Sequence, residues 1–81
     1  MMQAPNTRCG FTLLQECVSL SADGVFHFKC GLDHFHPPAT IQELQEGCDE
    51  LEKRKVLRRY QWLDGDQVQL TIREGLHEDY E

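Results

Sequence analysis

The chain has 81 residues and a formal charge of −6, with 8 Lys and Arg against 14 Asp and Glu; 40% of it is hydrophobic and 27% charged. That length allows one domain with a small core, and the composition is that of a soluble globular chain, which excludes wholesale disorder. The acidic balance disfavours generic phosphate binding, so nucleic acid is an unfavoured partner for the chain as a whole.

The charge is unevenly placed. Residues 40 to 60 balance five acids with five bases, whereas the last 21 residues set Asp64, Asp66, Glu74, Glu78, Asp79 and Glu81 against Arg73 alone. The opening stretch, Met1 to Arg8, has no continuous apolar run and reads neither as a signal peptide nor as a membrane anchor, so a cytoplasmic chain is expected. In that compartment Cys9, Cys17, Cys30 and Cys48 are expected to be reduced thiols. None of them forms a C-x-x-C pair, which argues against a zinc ribbon or a thioredoxin-like motif.

Residues 1–8 are expected to fray. From Phe11 to Cys30 the chain reads as a β-hairpin turning at Ala22-Asp23-Gly24, with Gly24 left-handed in a three-residue loop that pairs Leu20 with Phe26 and Val18 with Phe28. This register gathers Leu14, Val18, Leu20, Phe26, Phe28 and Cys30 on one face and leaves Gln15, Ser19, Ser21, His27 and Lys29 on the other. Gly31 to Ala39 is a loop held extended by Pro37 and Pro38.

Thr40 followed by Glu43 is the pattern of a capping box and starts a helix. Ile41, Leu44, Cys48 and Leu51 form its narrow apolar stripe, acids fill its first part and bases its last, in agreement with the helix dipole. Gly47 is its weak point, at a cost of about 1 kcal/mol against alanine unless something packs closely there. After Lys55 the period changes to two. Tyr60 and Trp62, then Val68, Leu70 and Ile72, alternate with polar residues around Asp64-Gly65-Asp66, forming a second hairpin in which Trp62 pairs with Val68 and Tyr60 with Leu70.

The fold expected is therefore α+β in the order β-β-α-β-β: an antiparallel sheet of two hairpins with one amphipathic helix packed on one face. It is one small domain, with a core from about residue 10 to 75 and a frayed acidic end at residues 76–81.

Three constellations could carry chemistry. Cys30, His34, His36 and Cys48 are ligand types that zinc accepts, in a spacing that matches no standard finger; the alternative is that both cysteines are core residues. Cys17, placed outward on the first strand, falls within diagonal reach of His27 as an activated nucleophile, but with no third orienting group and no oxyanion site. The run from Glu52 to Trp62 mixes bases with aromatics as nucleic-acid surfaces do, although the helix dipole accounts for most of the bases.

The most informative feature is a mismatch of areas. A four-stranded face is roughly 19 Å across its strand centres, and one helix is about 10 Å wide. Phe26, Phe28, Tyr60, Trp62 and Leu70 are accordingly expected at an apolar interface. The expected function is a small non-enzymatic module that binds and modulates, for example inhibits, another protein, with self-association to a dimer and no cofactor. Small acidic proteins encoded by phages or mobile elements to inhibit host machinery are analogous. The alternative is a zinc-binding or nucleic-acid-binding domain.

Overall fold

A computed structural model describes residues 5–80. Two helices lie on one face of a three-stranded antiparallel sheet, so the class is α+β. In chain order the elements are α1 (Arg8–Ala22), β1 (His27–Gly31), a 3-10 turn (Leu32–His34), α2 (Ile41–Lys53), β2 (Leu57–Trp62), β3 (Gln67–Ile72) and a closing 3-10 turn (Leu76–Tyr80). The sheet order is β1-β3-β2. The last strand thus runs antiparallel between the first two, and α2 carries the chain across.

The first hairpin expected from the sequence is replaced by α1. Cys9, Leu13, Leu14, Cys17 and Ser21 recur at spacings of three, four and seven and form one buried face, a helical rather than a strand period. The Thr7 hydroxyl caps the start by accepting from the Gly10 amide at 3.0 Å. At the other end Gly24, with φ of 80°, closes a Schellman motif: Val25 N–H donates to Leu20 O at 2.8 Å and Gly24 N–H to Ser21 O at 3.1 Å. A left-handed glycine serves a helix end as well as a hairpin turn, so Asp23-Gly24 belongs equally to both readings. β1 finds its partner in β3 instead, with Phe28 opposite Leu70 and Cys30 opposite Val68.

α2 begins with the expected capping box, Thr40 Oγ1 accepting from Glu43 N–H and Glu43 accepting from Thr40 N–H. Its inward stripe is Leu44, Gly47, Cys48 and Leu51, while Ile41 is left outside at 54% exposure. Gly47 is where the helices meet: a Cβ there would stand 2.8 Å from Cys9 Cβ and 2.9 Å from the Gly10 nitrogen. Glu50 ties the crossing by accepting from Asn6 N–H at 2.8 Å and from the Thr7 hydroxyl at 3.1 Å. The helix ends in a second Schellman motif, with Lys55 in the left-handed region at φ of 67° and Val56 N–H donating to Leu51 O.

The second hairpin has the expected register, Tyr60 opposite Leu70 and Trp62 opposite Val68, around Asp64-Gly65-Asp66. One residue is added: the register shifts between Leu57 and Arg59. That bulge puts Leu57 in the core with Tyr60 and Trp62, where strict alternation would turn it outward.

The two termini are more engaged than expected. Arg8 donates from Nε to Glu43 Oε2 at 3.1 Å and to the carbonyls of Pro37 and Pro38, joining α1 to the start of α2. Leu76 is fully buried, and His77 meets Ser21 of α1 with Nδ1 and Oγ 2.9 Å apart, so the acidic end is docked through Tyr80 rather than frayed. Residues 1–4 and Glu81 lie outside the described residues, and the expectation of fraying there goes with them.

Three strands under two helices leave no mismatch of the expected size. Val68, Leu70 and Ile72 are all at 0% exposure, and Phe35 from the loop after β1 joins the same core.

Candidate functional site

Strand alternation gives the sheet a second face, turned away from both helices. Two cross-strand rows compose it. His27, Thr71 and Arg59 face each other in the first, and Lys29, Gln69 and Gln61 in the second. His27, Lys29, Arg59 and Gln61 are exposed, Gln69 and Thr71 partly so. These six positions include no acid, in a chain where acids outnumber bases by 14 to 8.

The bulge adds a cation to this face. Regular alternation would place neighbouring residues on opposite sides, but Arg58 and Arg59 are both exposed and both line one groove of about 360 Å³. Phe26, His27, Thr71, Ile72 and Glu74 complete its walls. A smaller depression of about 80 Å³ continues over His27, Arg59, Tyr60, Gln61, Gln69 and Thr71. Among the described residues, the ion pairs engage Arg8, His34, Arg54 and Arg73, and none of them involves Lys29, Arg58 or Arg59.

A larger open depression of about 810 Å³ lies at the seam of the helices, lined by Thr7, Glu46, Asp49, Glu50 and Arg54 among others. Asn6, Thr7 and Glu50 in it are occupied in holding the helices together, Asp49 accepts from Gln45 and Tyr60, and Glu46 accepts from Gln42 within α2. Burial pushes the Glu50 carboxyl up, and the amides of Asn6 and Thr7 with the Thr7 hydroxyl outweigh it, so its pKa lies below the usual range. Glu43 is also lowered, first by the Arg8 guanidinium and then by the Thr40 amide.

The four residues named as zinc ligands are dispersed in role. Cys30 and Cys48 are buried in the core, His34 Nε2 is 2.5 Å from Glu16 Oε1, and His36 is exposed. Among the described residues no three His, Cys, Asp or Glu side chains stand where they could hold one ion. Cys17 is also buried rather than outward, because the segment is helical. Burial pushes the thiols of Cys17, Cys30 and Cys48 up to about 12, the opposite of what a thiolate nucleophile requires.

Of the five expected interface residues, Leu70 is covered completely, and Phe26, Phe28, Tyr60 and Trp62 are half-buried against the core. Tyr60 and Trp62 are fastened to α2. The indole Nε1–H donates to Gln45 Oε1 at 2.7 Å, and the Tyr60 hydroxyl donates to Asp49, which also accepts from Gln45 Nε2. Burial, followed by the Asp49 carboxylate, raises the pKa of the Tyr60 phenol.

Sequence reasoning weighed His27 only as a partner of Cys17, and Arg58, Arg59 and Gln61 only within the run from Glu52 to Trp62; it passed over Lys29, Gln69 and Thr71, and the row that joins all of these across the strands. All but Arg58 are ordinary products of strand alternation, and only their mutual placement across three strands distinguishes them from a solvated face.

No protein-family model, curated protein sequence or solved structure matches the chain. No helix among the described residues is long and apolar enough to cross a membrane.

Proposed function

We propose that this protein is a small non-enzymatic module that binds another protein and modulates it, using the outward face of its sheet. One observation carries the reading: a face presented by three strands is left uncovered and holds unpaired bases in a net acidic chain. Charged groups without intramolecular partners lose little by meeting a complementary surface, and complementary charge sets partner choice and encounter rate. Four free, buried thiols support a reducing compartment and hence the cytoplasm. Self-association to a dimer belongs to the same proposal, because β1 and β2 are edge strands with backbone groups available for pairing.

The test compares the wild-type protein with a Lys29→Glu/Gln61→Glu variant, both immobilised and exposed to a nuclease-treated extract of the native source. Retention of one protein by the wild type, its loss with the variant, and direct binding of that protein when purified would support the proposal. Retention that disappears on nuclease treatment would favour nucleic-acid binding, and capture indifferent to the substitutions would refute the assignment to this face. Light scattering checks the dimer; a monomer at high concentration removes that part.

A further inference from the structure

We infer that the groove crossing the sheet at the His27–Thr71–Arg59 row binds a carboxylate-rich segment of a partner protein, gripped by Arg58 and Arg59. This deepens the proposed function and rests on it.

The first ground is the state of the two arginines. With 14 acids to 8 bases, a guanidinium on this chain has carboxylates in abundance. Arg8, Arg54 and Arg73 each take one, Glu43, Glu50 and Asp79 respectively. Among the described residues Arg58 and Arg59 take none, although Glu74 lines the same groove and Glu52 lines a second depression beside Arg58. Two adjacent guanidinium groups with their donor forks unused, in one groove, fit carboxylates that arrive from outside.

The second ground is the bulge. A regular strand would have sent Arg58 toward the helices and Arg59 away from them. The extra residue between Leu57 and Arg59 gives up a ladder position and leaves Arg58 exposed on an edge strand, where it lines the groove beside Arg59 and also a depression beside Glu52 and Lys55. His27 and Thr71, across the same row, add side-chain hydrogen-bonding groups between the arginines and β1.

Charge and ring placement decide the occupant. Phosphate would satisfy the arginines too, but single-stranded nucleic acid is held by aromatic stacking as well as by bases. The outward strand positions carry one ring, the His27 imidazole; Phe26 edges the groove half-buried against the core, Tyr60 and Trp62 bond to Asp49 and Gln45 of α2, and Phe28 is packed inward, so no run of stacking rings follows the strands. A net charge of −6 opposes any long polyanion, so the groove suits a short segment whose few carboxylates meet the two arginines rather than a continuous phosphate backbone. An acidic peptide segment needs no stacking and engages the groove over a few residues.

Fluorescence anisotropy at low salt tests the assignment with three labelled probes: a short peptide alternating glutamate and serine, its glutamine counterpart, and a short oligouridylate. The glutamate peptide should bind and the glutamine peptide should not. Arg58→Gln/Arg59→Gln should weaken binding by about tenfold or more with an unchanged melting temperature, and Lys53→Gln/Lys55→Gln should leave it unaltered. No binding of the glutamate peptide, indifference to the arginine pair, or tighter binding of oligouridylate overturns the inference. So does light scattering that shows a wild-type dimer and an Arg58→Gln/Arg59→Gln monomer, since a second copy would then fill the groove. If the groove fails while capture of a partner still depends on Lys29 and Gln61, only this inference falls; if capture is indifferent to the whole face, the underlying reading falls with it.

Discussion

Replacing Gly47 with alanine sets two effects against each other. In an exposed helix interior the change stabilises by about 1 kcal/mol, because alanine loses less backbone entropy. Here the new methyl would stand 2.8 Å from Cys9 Cβ, 2.9 Å from the Gly10 nitrogen and 3.2 Å from the Cys9 carbonyl carbon. Two of those three atoms are backbone, so relief requires α1 to shift as a unit and not merely a side chain to turn. Overpacking of that kind costs about 1–3 kcal/mol. The packing cost exceeds the propensity gain, leaving a net loss of about 1 kcal/mol, which lowers the melting temperature of a domain this size by about 4–8 °C. Thermal unfolding followed by circular dichroism measures it, with Gln42→Ala at an exposed position of the same helix as control. A Gly47→Ala protein that melts higher than the wild type would refute the close crossing, and with it the second helix as the cover of the sheet.

Three further outcomes follow from the same structure. Lys55→Gly should stabilise by about 0.5–1 kcal/mol in urea titrations, since Lys55 occupies a left-handed helix-end position that glycine adopts without a steric penalty. Glu50 has a folded pKa below its unfolded value, so its contribution is present above the ordinary carboxylate range and is lost as pH falls through the folded pKa. Melting temperatures scanned from about pH 6 to about pH 3 should fall more steeply for the wild type than for Glu50→Gln. All four thiols should resist Ellman's reagent in the native state and react together on unfolding; rapid labelling of Cys17 in native protein would contradict its burial.

The parts of this fold that were legible in the sequence are those with two agreeing local signals. α2 has both a capping box and a stripe, and the second hairpin has both a turn and period-two alternation on each side. α1 was hidden because Leu14, Val18 and Leu20 also satisfy period two and Asp23-Gly24 also ends a hairpin. The signals that would have separated the readings are Thr7 as a cap and the spacing of Cys9, Leu13 and Cys17 at four, a helical interval. The bulge at Arg58 is invisible to alternation, which assumes one residue per position, and it changes both Leu57 and the arginine pair. Leu76 is a single apolar residue in an acidic stretch, so only its docking against α1 distinguishes an anchored end from a loose one. The outward row as a unit was not legible: His27 was weighed only with Cys17 and Arg59 only within a basic-aromatic run, because the pairing of β1 with β3 that brings them onto one face is long-range.

The outward sheet face is proposed as the binding surface, with the arginine groove as its focus. A backbone amide NMR titration of the labelled protein with the glutamate-serine peptide tests it most directly. Resonances of His27, Arg58, Arg59, Thr71 and Gln69 should shift together and saturate together. Shifts that instead cluster at the helix seam around Thr7, Glu46 and Glu50, or at exposed Phe11 and Ile41, would contradict it.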